Sequence, residues 1–481
     1  MSRHRKILIA AGIVLGVAVL IPVIHHYQLR FAVANYVAEL KAKGEPMDLA
    51  QVIPPPATPE QNGVPFITNA LANLKSEGIH ANNPPPAMHM IARGRAMIGW
   101  QQPDIRSSDG TNKWEDLGRE LAAAKSGLDS FQSLTNHPIL DFNLDYQKGF
   151  DLILHHLAPL KRSAQWLSAS ALYNLHQGNP KDACADVRAM LAIVKGEADE
   201  RITISQLVRI AIASIGESVT WEILQDPDVS DDDLAQLQQD WQSLEFTAPI
   251  EQAMKFERVE NLQEFEQARK SSEKFNRLWG YYYTSDTSPD RGGDMMPLKK
   301  RSVFLRKWDE LRWRWFWSYQ DELHSLQEFQ GLKINQNSSN GLRDLLSQSF
   351  NGLASAKRKA TRIETAQNVV VTAIALKRYE LRHQQLPATL DDLTPGLLQT
   401  VPIDCMDGQP LRYRPNADGT FLLYSVGSNG MDDGGNPSLE KGVTGSYYYW
   451  QNDHALDWVW PQPATEEEIQ AYYKKLSSQK N

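Results

Sequence analysis

Residues 379–435, YELRHQQLPATLDDLTPGLLQTVPIDCMDGQPLRYRPNADGTFLLYSVGSNGMDDGG, constrain the fold more tightly than any other part of the chain. Just upstream, Ile363, Ala366, Val370, Ala373 and Tyr379, joined by Val369 and Leu376, recur at helical spacing, which predicts an amphipathic helix running to about His383. Leu386-Pro387 ends it, because proline disfavours helical geometry in the residue before it. Ala388 to Leu393 then fits a short capped helix or turn, starting near Ala388 or Thr389. Two strands are predicted at 411–414 and 420–425, joined by Pro415-Asn416-Ala417-Asp418-Gly419, whose Asn, Asp and Gly suit a hairpin loop. The order is a long helix laid on a small antiparallel sheet, closed by an acidic, glycine-rich loop.

The rest of the chain reads as helical. Trp166, Leu167, Ala171 and Leu175 form one apolar stripe, and Ala183, Val187, Met190, Leu191 and Val194 form another. Gly178-Asn179-Pro180 lies between them; Gly suits the position past a helix end and Pro the first turn of the next, so a helical hairpin is expected. The pair is similar to a tetratricopeptide unit, but no 34-residue repetition accompanies it. Residues 204–224 are apolar on nearly all sides and are expected at the centre of the helical core. Ser230 followed by Asp231, Asp232 and Asp233 gives an N-cap and negative charge at a helix start. A further amphipathic helix is expected from Pro249 to about Phe275, and residues 51–88 should be largely irregular, with one short helix near 66–74.

At the other end, residues 7–24 contain no charged side chain and follow Arg3, Arg5 and Lys6. Roughly 20 apolar residues span a bilayer core, and preceding cations orient such a span with its N-terminus inside. The expectation is a single-pass inner-membrane protein, anchored by its N-terminal helix, with the bulk periplasmic. A cleaved signal peptide is the rival, supported by Ala32-Val33-Ala34 but set against a long, polar approach through His25, His26 and Arg30.

Fifty basic and 58 acidic residues give a net charge of -8 without a long basic run, so no nucleic-acid partner is expected. Two cysteines, Cys184 and Cys405, are too few for a disulfide scaffold and leave one bridge open. The chain lacks HExxH, GxxxxGK[ST], GxSxG and dinucleotide fingerprints. His155 and His156 are adjacent, point about 100° apart on a helix, and are expected to be satisfied by hydrogen bonds. Trp308, Trp313, Trp315 and Trp317 invite a carbohydrate or interfacial platform, but Trp313, Phe316 and Trp317 share helical spacing with Leu311 and Tyr319, so packing is expected. Tyr281-Tyr282-Tyr283 could pack or bind.

Across residues 357–460 the chain resembles the globular head of the major pseudopilins of type II secretion systems. The resemblance rests on Arg378-Tyr379 through Leu386-Pro387-Ala388-Thr389, on Asp404 to Gly408 with Tyr413, and on Tyr424-Ser425-Val426-Gly427. It implies a calcium ion held in the loop 428–435, with Asn429, Asp432 and Asp433 as ligands and Asp457, together with Asp453, completing the shell. Oxygen-rich loops of this kind suit a hard cation, while an Asp/Gly turn capped by its own side chains is the rival reading. Asn429 stands where that family usually has Asp. More than 300 residues separate the apolar run from the head, and no Gly-Phe-type processing site precedes it, so the resemblance implies a borrowed head rather than a filament subunit.

The fold class expected is therefore α+β: an N-terminal transmembrane helix with its juxtamembrane continuation (1–45), a large all-α body (46–350), an α/β head (357–463) and a tail helix (464–481). The expected function is binding or assembly through a protein partner in the cell envelope, with calcium as the cofactor. A hydrolase of glycan or peptide, gripping substrate through Trp313, Trp317, Trp450 and Trp458, is the alternative from another class; the sequence nominates no catalytic residue.

Overall fold

The structure is a computed structural model that describes residues 3–107, 110–284, 303–331, 341–443 and 449–479. It is mostly helical with small sheets, an α+β fold. In chain order come α1 (Arg3–Ala42), α2 (Val64–Ala72), the single turn α3 (Ile79–Asn82), a hairpin of β1 (His89–Ala92) and β2 (Arg95–Met97), a second hairpin of β3 (Ile105–Ser107) and β4 (Gly110–Asn112), and α4 (Trp114–Gln132). The body continues with α5 (Leu157–His176), α6 (Pro180–Gly196), α7 (Thr203–Leu224), α8 (Asp231–Gln242), α9 (Thr247–Lys270) and α10 (Ser272–Thr284). Next are α11 (Val303–Arg312), a π-turn at Trp313–Trp317 and α12 (Ser318–Phe329), followed by the long α13 (Gly341–His383).

The turn between α5 and α6 forms as its residues dictate. Gly178 adopts φ +74°, its N–H and that of Asn179 bond the Leu175 and Asn174 carbonyls, and Pro180 opens α6. α7 lies against α5, α6, α9 and α13 and buries Ile212, Val219, Trp221 and Ile223. The central position expected for it is thus observed, although it also buries Arg209, Glu217 and Glu222. Ser230 caps α8 by accepting the Asp233 N–H at 3.1 Å.

In the C-terminal region the predicted hairpin is present. β5 (Arg412–Pro415) pairs antiparallel with β6 (Phe421–Ser425), and β6 pairs antiparallel with β7 (Trp458–Val459). Thr389 begins the short 3-10 turn Leu390–Leu393 in a capping box with Asp392. Two residues, β8 (Gln462–Pro463), then run parallel to β2, and α14 (Glu466–Gln479) sets Ile469 against Ile91 and Met97. One apolar core runs without a break from Trp166, Leu191 and Trp241 through Val370 to Leu423, Trp458 and Trp460, with α13 shared by the helical layers and the small sheet.

The tryptophan-rich segment divides. Trp313 is fully buried against Phe265 and Phe275, while Trp308, Leu311, Trp315 and Phe316 are exposed. The side chains of Tyr281, Tyr282 and Tyr283 lie outside the described residues. Cys184 and Cys405 are both free.

The expected membrane anchor is corrected: among the described residues, no helix is long and apolar enough to cross a membrane, which overturns the single-pass inner-membrane placement. The side chains of much of the 7–24 run fall outside the described residues. Beyond it, α1 carries His25, His26, Gln28, Arg30, Asn35, Glu39 and Lys41, too polar for a bilayer core. Its second half instead packs on protein, burying Val33 and Leu40 with Leu326 of α12, and His26 Nδ1 lies 3.0 Å from the Trp315 carbonyl.

Candidate functional site

The acidic loop nominated by sequence does come together, but its side chains are turned to the chain's own donors. Asp457, fully buried at β7, accepts the N–H groups of Asp433 at 3.3 Å, Gly435 at 2.9 Å and Asn436 at 2.8 Å. Burial pushes its carboxyl up against the pull of those bonds. Asp432 accepts the Gly434 N–H and the Tyr424 hydroxyl, both at 3.0 Å, and faces Arg412 Nε at 3.6 Å. The Gly434 amide, then Tyr424 and Arg412, hold Asp432 below the usual carboxylate range. Asn429 turns its amide N–H to Asp433 Oδ2 at 3.0 Å and its oxygen to the Met431 N–H at 2.9 Å.

A guanidinium stands beside this loop. Arg412 reaches Asp404 and Asp407 as well as Asp432, and the fully buried Asp404 is further held by the Ser425 hydroxyl and the Val426 N–H, each at 2.9 Å. The carboxylates of Asp432 and Asp457 thus accept N–H and O–H donors of the chain itself, and Asp433 Oδ2 accepts from Asn429. Asp453 accepts from Arg362 and from the hydroxyl of Ser428 at the start of the loop, each at 3.3 Å.

That last contact borders a concavity near the sheet. A groove of about 410 Å³ separates α13 from the loops around Ser428 and Asp453. Its helical wall presents Ser355, Arg358, Lys359, Thr361 and Arg362, and Trp458 stands opposite. Arg362 is pinned: it bonds Gln451 and Asp453, and its guanidinium carbon sits 5.8 Å from the Trp458 ring centre. Arg358 and Lys359 are exposed and make no ion pair among the described residues. Three cations against one carboxylate make this a positive recess in an acidic chain. It can accept an anion through Arg358, Lys359 and the Ser and Thr hydroxyls, with the indole as an apolar wall.

Sequence reading passed over these residues, though a signal existed. Lys357-Arg358-Lys359 followed by Arg362 places Arg358 and Arg362 four residues apart on one side of a helix. Among the described residues, the one group of His, Cys, Asp and Glu whose ligand atoms converge lies elsewhere, at His156, Glu197 and Glu200 in the helical layers. Comparisons with protein-family models, with curated proteins and with solved structures found no match for this chain.

Proposed function

We propose that this protein acts by binding, docking an acidic segment of a partner protein in the groove between α13 and the small sheet. The observation that carries the reading is the groove itself: about 410 Å³, walled by Arg358, Lys359 and Arg362, with a single opposing carboxylate. Exposed cations over a recess steer and orient an anionic partner. The resemblance of residues 357–460 to pseudopilin heads, modules of assembly, points the same way. Two raised carboxyls of α7 support binding over hydrolysis. Burial lifts Glu217 to about 7 and Glu222 to about 8, but both are enclosed and bonded to Trp450 or to backbone amides instead of facing an open cleft.

The test is calorimetric titration of the full chain with a short Asp/Glu-rich peptide, repeated with the double variant R358E/K359E and with single-stranded DNA. Peptide affinity should fall with added salt, and charge reversal should weaken it by about tenfold or more. Unchanged binding by the variant, no binding by either protein, or tighter binding of the DNA would each overturn the proposal.

A further inference from the structure

His156 stands at the start of α5, and Glu197 and Glu200 lie on the short connection between α6 and α7. Imidazole nitrogen and carboxylate oxygens all lie within 4.8 Å of one another. His156 Nε2 is 2.9 and 3.1 Å from the two oxygens of Glu200. The three side chains are nearly out of solvent: 8% exposure for His156, 4% for Glu200, and 1% for Glu197.

Glu197 is the anomaly. Both of its carboxylate oxygens are buried, and neither has a hydrogen-bond partner. A carboxylate enclosed in this way, beside a second one, is costly unless a cation or a proton compensates it. Arg209 is the cation that acts on it, but its guanidinium is committed to the Val194 and Glu245 carbonyls and to Gln206. The rest of the pocket is built. Gln206 Nε2 holds the backbone carbonyls of Glu197 at 3.1 Å and Glu200 at 2.7 Å, which fixes the turn that carries both acids. The Ser205 hydroxyl donates to Glu200, and Phe142 stacks on the His156 ring with centroids 4.1 Å apart. Outer contacts of this type orient metal ligands.

We infer that His156, Glu197 and Glu200 form a binding site for a divalent transition-metal ion, clamping the start of α5 to the α6–α7 connection. One imidazole with two carboxylates suits zinc or manganese; the absence of thiolates disfavours copper(I), and calcium prefers an all-oxygen shell. The Glu197-x-x-Glu200 spacing brings both acids to one side of a single turn, and the ion supplies the charge that Glu197 lacks.

The experiment uses the full chain, stripped with chelator and dialysed against zinc, manganese or calcium, with bound metal measured by mass spectrometry and the melting midpoint recorded. One zinc or manganese ion per chain should be retained and should raise the midpoint, whereas calcium should do neither. Glu197→Gln removes the charge but keeps the shape, so the metal-free variant should melt at or above the metal-free wild type while its zinc affinity falls about tenfold or more. X-ray absorption of the zinc form should show only nitrogen and oxygen neighbours at about 2.0–2.2 Å. Retention of no ion by the wild type, wild-type zinc affinity in E197Q, or sulfur in the shell would overturn the site.

Discussion

The indole N–H of Trp450 donates to the carboxylate of Glu217, joining the C-terminal segment to the middle of α7 across 233 positions of sequence. Both side chains are buried, and Gln451 Nε2 lies 3.4 Å from the same oxygen. The contact welds the small sheet to the helical layers, because an acceptor so enclosed has few other donors.

Replacing Trp450 with Phe removes the donor and leaves the Glu217 oxygen underpaired. The cost should be about 1–3 kcal/mol. In E217Q the charge is gone, so the added effect of W450F should shrink. A double-mutant cycle by urea unfolding measures the coupling, and strictly additive single effects would show that the bond is energetically idle.

Glu222 gives the fold a defined pH response. Its oxygens take the N–H groups of Met88 at 2.7 Å and Gly99 at 3.0 Å, yet burial dominates and raises its carboxyl from 4.5 to about 8; Glu217 moves likewise to about 7. The folded state therefore holds these protons more tightly than the unfolded chain does. Their contribution to stability is complete below about pH 4.5 and is lost as pH rises through about 7 to 8. Between pH 5 and 8 the melting midpoint of Glu222→Gln should fall less steeply than that of the wild type. Parallel curves would remove Glu222 from the response.

Gly99 is required by a close backbone approach. A Cβ at this position would lie 1.9 Å from the Pro86 carbonyl oxygen, and a backbone carbonyl held by the fold cannot retreat as a side chain could. Gly99→Ala should therefore cost about 1–3 kcal/mol or more, read as a lower urea midpoint. A midpoint within experimental scatter of the wild type would mean that the loop at Pro86 gives way.

Arg412 is the internal cation of the acidic loop. Its side chain is 18% exposed, while that of Asp404 beneath it is fully enclosed. Arg412→Met should cost about 2 kcal/mol, less than a wholly buried pair because solvent screens part of the charge. Calcium added to metal-stripped wild type should leave the melting midpoint where it was. A calcium-dependent rise of several degrees, lost in Asp432→Asn, would reinstate the loop as a cation site.

Much of the local architecture was legible because its causes are local. Gly178 and Pro180 dictate the α5–α6 turn, Ser230 caps α8 through the third residue onward, and Asn416 closes the β5–β6 loop by donating its N–H to the Thr420 carbonyl at 2.8 Å. Asn429, Asp433 and Asp457 are joined by hydrogen bonds, but the direction of each carboxylate was not readable. Asp432 turns to Arg412 only because antiparallel pairing sets Arg412 opposite Tyr424. The basic groove was missed because Arg358 and Lys359 acquire meaning only when the Ser428 and Asp453 loops fold over α13.

By itself, the order of residues determined several helix ends, which faces are apolar and where the β5–β6 hairpin turns, since backbone sterics, capping and periodicity act over a few positions. Only the tertiary structure decided that Glu222 would reach back 134 positions to Met88, that His156 would meet Glu197 and Glu200, and that one core would unite helices and sheet. Such pairings arise from close packing and from the need to compensate enclosed charge. Those conditions exist only after distant segments have been brought together and water has been removed from between them.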